Sequence, residues 1–150
     1  MQCSRRVSPR LARFACIGLL VGWPSTGWAQ YSFRVIVHPS NPVTTLRAAE
    51  ISKVFLGKQT KWSNGQLAQP VDQVESSPVR RKFSQAIHGM DVPSVKSFWQ
   101  EVVFSGRGEP APERASDGEV IAYVRVNPNA VGYISDTTAT DAVKVITVTP

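Results

Sequence analysis

Four short runs rich in β-branched residues alternate with four stretches that carry an apolar face at helical spacing. This alternation constrains the fold of the 150-residue chain more than any other feature. The first run, Phe33-Arg34-Val35-Ile36-Val37-His38, stops at Pro39-Ser40-Asn41-Pro42, which cannot remain in a strand ladder. The other strand-like runs are 70–74, 131–134 and 143–148. In the first helical stretch Leu46, Ala49, Ile51, Val54 and Phe55 form a stripe, with Thr44 or Thr45 as cap and Gly57 as stop. Ser77 followed by Pro78 opens the second, because proline suits the first helical position; Val79, Phe83, Ala86 and Ile87 are its apolar face and Gly89 ends it. The third spans about 93–104, with Val95, Phe98, Trp99, Val102 and Val103 facing inward. Ser116-Asp117-Gly118-Glu119 matches a capping box and opens the fourth, which runs to Val126. Strands interleaved with helices predict an α/β layered domain. Ligands of such sheets sit outside the carboxyl ends of strands, near helix N-termini, which directs attention to the corner at 73–80.

The N-terminus predicts export. Arg5, Arg6, Arg10 and Arg13 stand there without an acidic residue, ahead of an apolar run at 14–22, Pro24 and the small-residue site Gly27-Trp28-Ala29. The run is about half of the ~20 residues that cross a bilayer. The expectation is a signal peptide at 1–29, cleaved between Ala29 and Gln30, and a periplasmic working domain at 30–150. The whole chain has 17 basic and 11 acidic residues; loss of those four arginines leaves 13 against 11. The net +6 is thus largely a targeting charge, and nucleic acid is not an expected partner. Cys3 and Cys16 leave as well, which removes disulfides and thiolate metal sites from the working domain.

No nucleophile elbow and no carboxylate pair at an interpretable spacing is present, so neither an enzyme nor a cofactor is expected. His38 and His88 are too few and too far apart to suggest a metal, and His88 beside Gly89 reads as a charge at a helix C-terminus. Two places suggest a small-anion contact. Ser76 and Ser77 offer hydroxyls at a helix start, with Arg80 and Arg81 one turn on. Arg107, flanked by Gly106 and Gly108 on a loop, is the second. The plainer alternative is that Ser77 is an N-cap and Arg80-Arg81-Lys82 a solvated face.

Three segments in order carry a family resemblance. Ile51-Ser52-Lys53-Val54-Phe55-Leu56-Gly57-Lys58 followed by Trp62 resembles the "IFLGK…W" signature of periplasmic phosphate-binding proteins of ABC transporters. Ser76-Ser77-Pro78-Val79-Arg80-Arg81-Lys82-Phe83 falls where that family has its "SGT…F" anion loop, and Asn127-Pro128-Asn129-Ala130-Val131-Gly132-Tyr133-Ile134 resembles its "TPGAIGYV" strand. The resemblance covers about 45–135. It implies a type II periplasmic-binding-protein-like fold, here a single three-layer lobe with a mixed sheet flanked by helices. It also implies phosphate or another small oxyanion as ligand and an ABC transporter permease as partner; a half-open site would need a second wall, which a homodimer or a partner protein could supply. Two departures stand out. Family members close two lobes on the anion, and this length holds one. In the loop, Gln73 stands where the pattern has Arg, and Pro78 and Val79 replace Gly and Thr, so Ser77 alone corresponds to a family ligand. An interaction module that kept the fold and lost the ligand is the other reading.

Overall fold

The computed structural model describes residues 32–150; the expected export signal and its cleavage point lie outside the described residues. Phe33–Val37 forms β1, the central strand of a five-stranded mixed sheet. On one side β1 pairs antiparallel with β6 (Ala130–Ser135), Val35 opposite Tyr133 and Ile36 opposite Gly132. On the other it pairs antiparallel with β7 (Lys144–Thr149), Val35 opposite Ile146. The outer strands are parallel to their neighbours: β2 (Thr45–Arg47) to β7, and β3 (Gln69–Pro70) to β6. The order is β2-β7-β1-β6-β3. A separate two-residue ladder joins β4 (Asp72–Gln73) to β5 (Glu113–Arg114).

The period-two pattern of β1 and β6 decides what lies on each face. Val35, Val37, Val131 and Tyr133 face α1 (Ala48–Phe55) and α2 (Pro78–Phe83), where they meet Ile51, Val54, Phe55, Phe83 and Ile87. Ile36, Ala130 and Ile134 face α4 (Asp117–Val126) and pack on its Val120 and Val124. Helices therefore cover both faces, which is the layered lobe with a mixed sheet that the sequence predicts. On the first face Phe83 stacks on Tyr133, with centroids 3.8 Å apart and planes 7° apart, and Phe33 and Phe55 tilt against Phe83 at 5.3 and 4.9 Å.

Several boundaries differ from expectation. Thr44 and Thr45 cap no helix: Thr45–Arg47 is a strand because β7, a hundred residues later, offers it a parallel ladder, and α1 starts at Ala48. The run 70–74 splits at Val71, since β3 pairs with β6 while β4 turns away to β5. Helix α2 continues as a π-helical turn, Ser84–His88, which Gly89 closes at a φ of +65°. Helix α3 (Val92–Phe104) buries Val92 and Val95, but Phe98, Trp99 and Val102 are only partly covered and Val103 is exposed. Its expected inner face meets the core only at the first turns.

His88 is also not a solvated charge. Its Nδ1 lies 2.9 Å from Ser52 Oγ of α1, and its ring stands edge-on to Phe83 at 5.4 Å. Burial, with Arg80 and Lys58 nearby, lowers its pKa to about 4. A folded pKa below the unfolded value of 6.5 means that this stabilisation is complete above pH 6.5 and is lost as pH falls through 4. Between those limits the wild type should lose roughly 2–3 kcal/mol more than His88→Gln, as read by urea unfolding at each pH.

Glycine at 132 is required by contact. A Cβ there would meet Val120 Cγ1 at 2.6 Å and Val71 Cγ1 at 2.9 Å, between a sheet and the helix on it. Gly132→Ala should lower stability by about 1–3 kcal/mol through overpacking, measured as a drop in Tm.

Candidate functional site

The corner at 73–80 is assembled from five elements, β4, β5, β6, α2 and α4. Ser77 is the N-cap of α2, its Oγ accepting from Arg80 N–H at 3.3 Å. The same hydroxyl donates to Gln73 Oε1 at 2.6 Å. Gln73 Nε2 in turn donates to Asp117 Oδ1 at 2.7 Å and to the Tyr133 carbonyl at 3.0 Å. Gln73, where the resemblance implies an arginine, is thus a fully bonded neutral bridge between β4, α4 and β6. Pro78, lacking an N–H, starts the helix that this bridge holds.

The cation in this corner is Arg80. One helical turn brings it back over Ser77 and inward, and the residue is only 4% exposed. Its Nη1 donates to the Gln73 carbonyl and, at 2.5 Å, to Glu113 Oε1; its Nη2 lies 3.3 Å from Asp72 Oδ2. Asp72 also accepts from the Tyr133 hydroxyl and from Gln73 N–H at 2.8 Å. Burial pulls the guanidinium's pKa down, but Asp72 and Glu113 more than offset it and hold it above its ordinary value. Burial pushes the Asp72 carboxyl up, against the opposing pull of Arg80 and of the Tyr133 hydroxyl. The Tyr133 hydroxyl is driven up by burial and by Asp72 beside it, so it remains a proton donor.

Of the residues expected to contact an anion, Ser77 and Arg80 are brought together and both are occupied by protein groups. Arg80 is also not part of a solvated face, unlike Arg81 and Lys82, which are exposed. Ser76 is exposed, and its carbonyl accepts from Arg81 Nη1 at 3.1 Å. Arg107 lies on the loop after α3, where it bonds Ser105 Oγ at 2.7 Å and pairs loosely with Glu101 at 3.7 Å. Asp72, Glu113, Asp117 and Tyr133 escape sequence reasoning because their partners are 8 to 61 residues away. Among the described residues, no group of three His, Cys, Asp or Glu side chains is arranged to hold a metal ion.

No family model and no curated protein matches the sequence. Solved structures do match. The chain shares the fold of phosphate receptors. It is similar to a Clostridium perfringens protein assigned as a phosphate ABC transporter substrate-binding protein and solved with bound phosphate, at 25% identity and a TM-score of 0.63 over 78% of this chain and 44% of that one. It is also similar to an ABC-type phosphate transport receptor from Vibrio cholerae (22% identity, TM-score 0.63, 78% of this chain and 46% of that one). A third is PstS from Borrelia burgdorferi (16% identity, TM-score 0.54, 78% of this chain and 47% of that one). These matches bear out the resemblance read from the sequence and the binding-protein-like fold. The chain spans less than half the length of each of these structures.

Removal of the guanidinium would leave Asp72 buried without its cation. Arg80→Leu should therefore cost about 3–5 kcal/mol in urea unfolding, and Arg80→Leu combined with Asp72→Asn should recover a large part of it.

Proposed function

We propose that this protein is an exported counterpart of the phosphate receptors, sharing their fold, that works by docking to a partner protein and does not itself carry phosphate. The observation that supports this reading is the occupancy of Arg80. Its charge is already met by Asp72 and Glu113, and the Ser77 hydroxyl is already given to Gln73. A phosphate at this corner would have to displace a carboxylate and then stay beside Asp72, where like charges repel. Export and a periplasmic location are supported by the Arg-rich, then apolar, then small-residue order of residues 1–29. The partners that fit the reading are a transporter permease or a second copy of the chain, and the activity is binding, not catalysis.

A receptor role for phosphate or another small oxyanion is the second reading, favoured by the Clostridium perfringens protein that was solved with phosphate bound. Calorimetric titration of the protein with inorganic phosphate and sulfate separates the two. The expected result is no heat at millimolar anion; saturable heat with phosphate would replace the docking reading with the receptor one.

A further inference from the structure

Apart from the Arg80 corner, a recess of about 260 Å³ opens between the end of α1, the edge strand β3 and the loop that returns from α3 to β5. Trp99 and Tyr123 line it with aromatic rings, and Gln59, Thr60, Gln69 and Glu109 line it with polar side chains. We propose that this recess binds one ring of a neutral saccharide. The inference goes beyond the docking reading and does not rest on it, because Arg80 is not among the lining residues.

Unmet hydrogen-bonding capacity distinguishes this place from the Arg80 corner, where the side chains bond one another. Among the described residues, the Trp99 indole N–H, the Tyr123 and Thr60 hydroxyls, the Gln69 amide and the Glu109 carboxylate have no hydrogen-bond partner. Gln59 Nε2 donates to the Lys61 carbonyl at 3.0 Å, which leaves its Oε1 as an acceptor. The Trp99 and Tyr123 groups are open to water, since Arg80 Nε is the one buried side-chain atom without a partner among the described residues.

The chemistry of this set selects the ligand. It mixes donors, acceptors and hydroxyls that are both, which is what a rim of sugar hydroxyls requires. No Lys, Arg or His lines the recess, so a carboxylate or phosphate would find no counter-charge. A quaternary ammonium needs open aromatic faces. Arg114 already lies 4.9 Å over the Tyr123 ring, so such a cation would meet one free ring and a like charge.

Trp99 supplies the platform. Phe98 stands edge-on to it, with centroids 5.5 Å apart and planes at 73°, and a Cβ at Gly57 would lie 2.9 Å from Trp99 Cη2. Glycine at 57 thus admits an indole that is already fixed, which spares the cost of ordering it on binding. The C–H bonds on one face of a sugar ring pack on such a surface while the hydroxyls reach the polar groups. The volume lies below the roughly 300–1,000 Å³ of clefts for drug-sized molecules, which suits a single ring.

The test titrates the protein with the methyl glycosides of glucose, galactose, mannose and N-acetylglucosamine, with choline, and with acetyl-Pro-Ala-Pro amide. Binding is read by calorimetry and by the Trp99 indole N–H resonance. At least one glycoside should bind saturably, with a Kd of about 1–10 mM, and shift that resonance, whereas choline and the peptide should not. Trp99→Leu should weaken that glycoside about tenfold or more. Gln69→Ala and Thr60→Val, both at exposed positions, should each weaken it about threefold and keep the test decisive if Trp99→Leu fails to fold. Silence from all four glycosides, an unchanged affinity in both exposed variants, or equal or tighter binding of choline or the peptide overturns the proposal.

Discussion

The buried guanidinium of Arg80 is the contact on which the functional end of this lobe depends. It ties α2 to β4 through the Gln73 carbonyl and Asp72, and to β5 through Glu113, while Asp72 passes the connection to β6 through the Tyr133 hydroxyl. Removing such a charge from water is costly, and the cost is tolerable only because carboxylates and a carbonyl meet it. The same pairing has a functional consequence. The positive charge that a small anion would need is present, but it is already neutralised from inside the protein.

The aromatic layer keeps that network in position. Phe83, three residues after Arg80, stacks on the ring of Tyr133, whose hydroxyl reaches Asp72. One face of β6 therefore serves the core and the polar corner together, through a single side chain that is apolar along its ring and polar at its tip. On the opposite face Gly132 lets Val120 and Val71 close over the sheet. Helix α3 is outside this scheme. Only Val92 and Val95 reach the core, and the Trp99-to-Phe104 end remains a partly covered apolar surface beside Arg80.

Local chemistry made much of the lobe legible in advance. Ser77-Pro78 and Ser116-Asp117-Gly118-Glu119 marked α2 and α4 because caps act within three residues, and both caps are made: Ser77 Oγ to Arg80 N–H and Ser116 Oγ to Glu119 N–H. The β-branched runs marked β1, β6 and β7 for the same local reason. The strand at Thr45–Arg47 was hidden, since its ladder comes from residues 147–149. So was the division of 70–74 between two ladders.

At the candidate site the division is sharper. The residues alone identified the corner, the Ser77 cap and a guanidinium one turn along at Arg80, and the family resemblance implied an arginine where Gln73 stands. They did not determine whether that guanidinium faced water or the interior, because helical spacing leaves Arg80 at the edge of the apolar stripe. The fold decided it by bringing Asp72, Glu113 and Tyr133 against Arg80 from distant parts of the chain. Charge balance between such groups depends on distances of a few ångströms, and only the tertiary structure sets those.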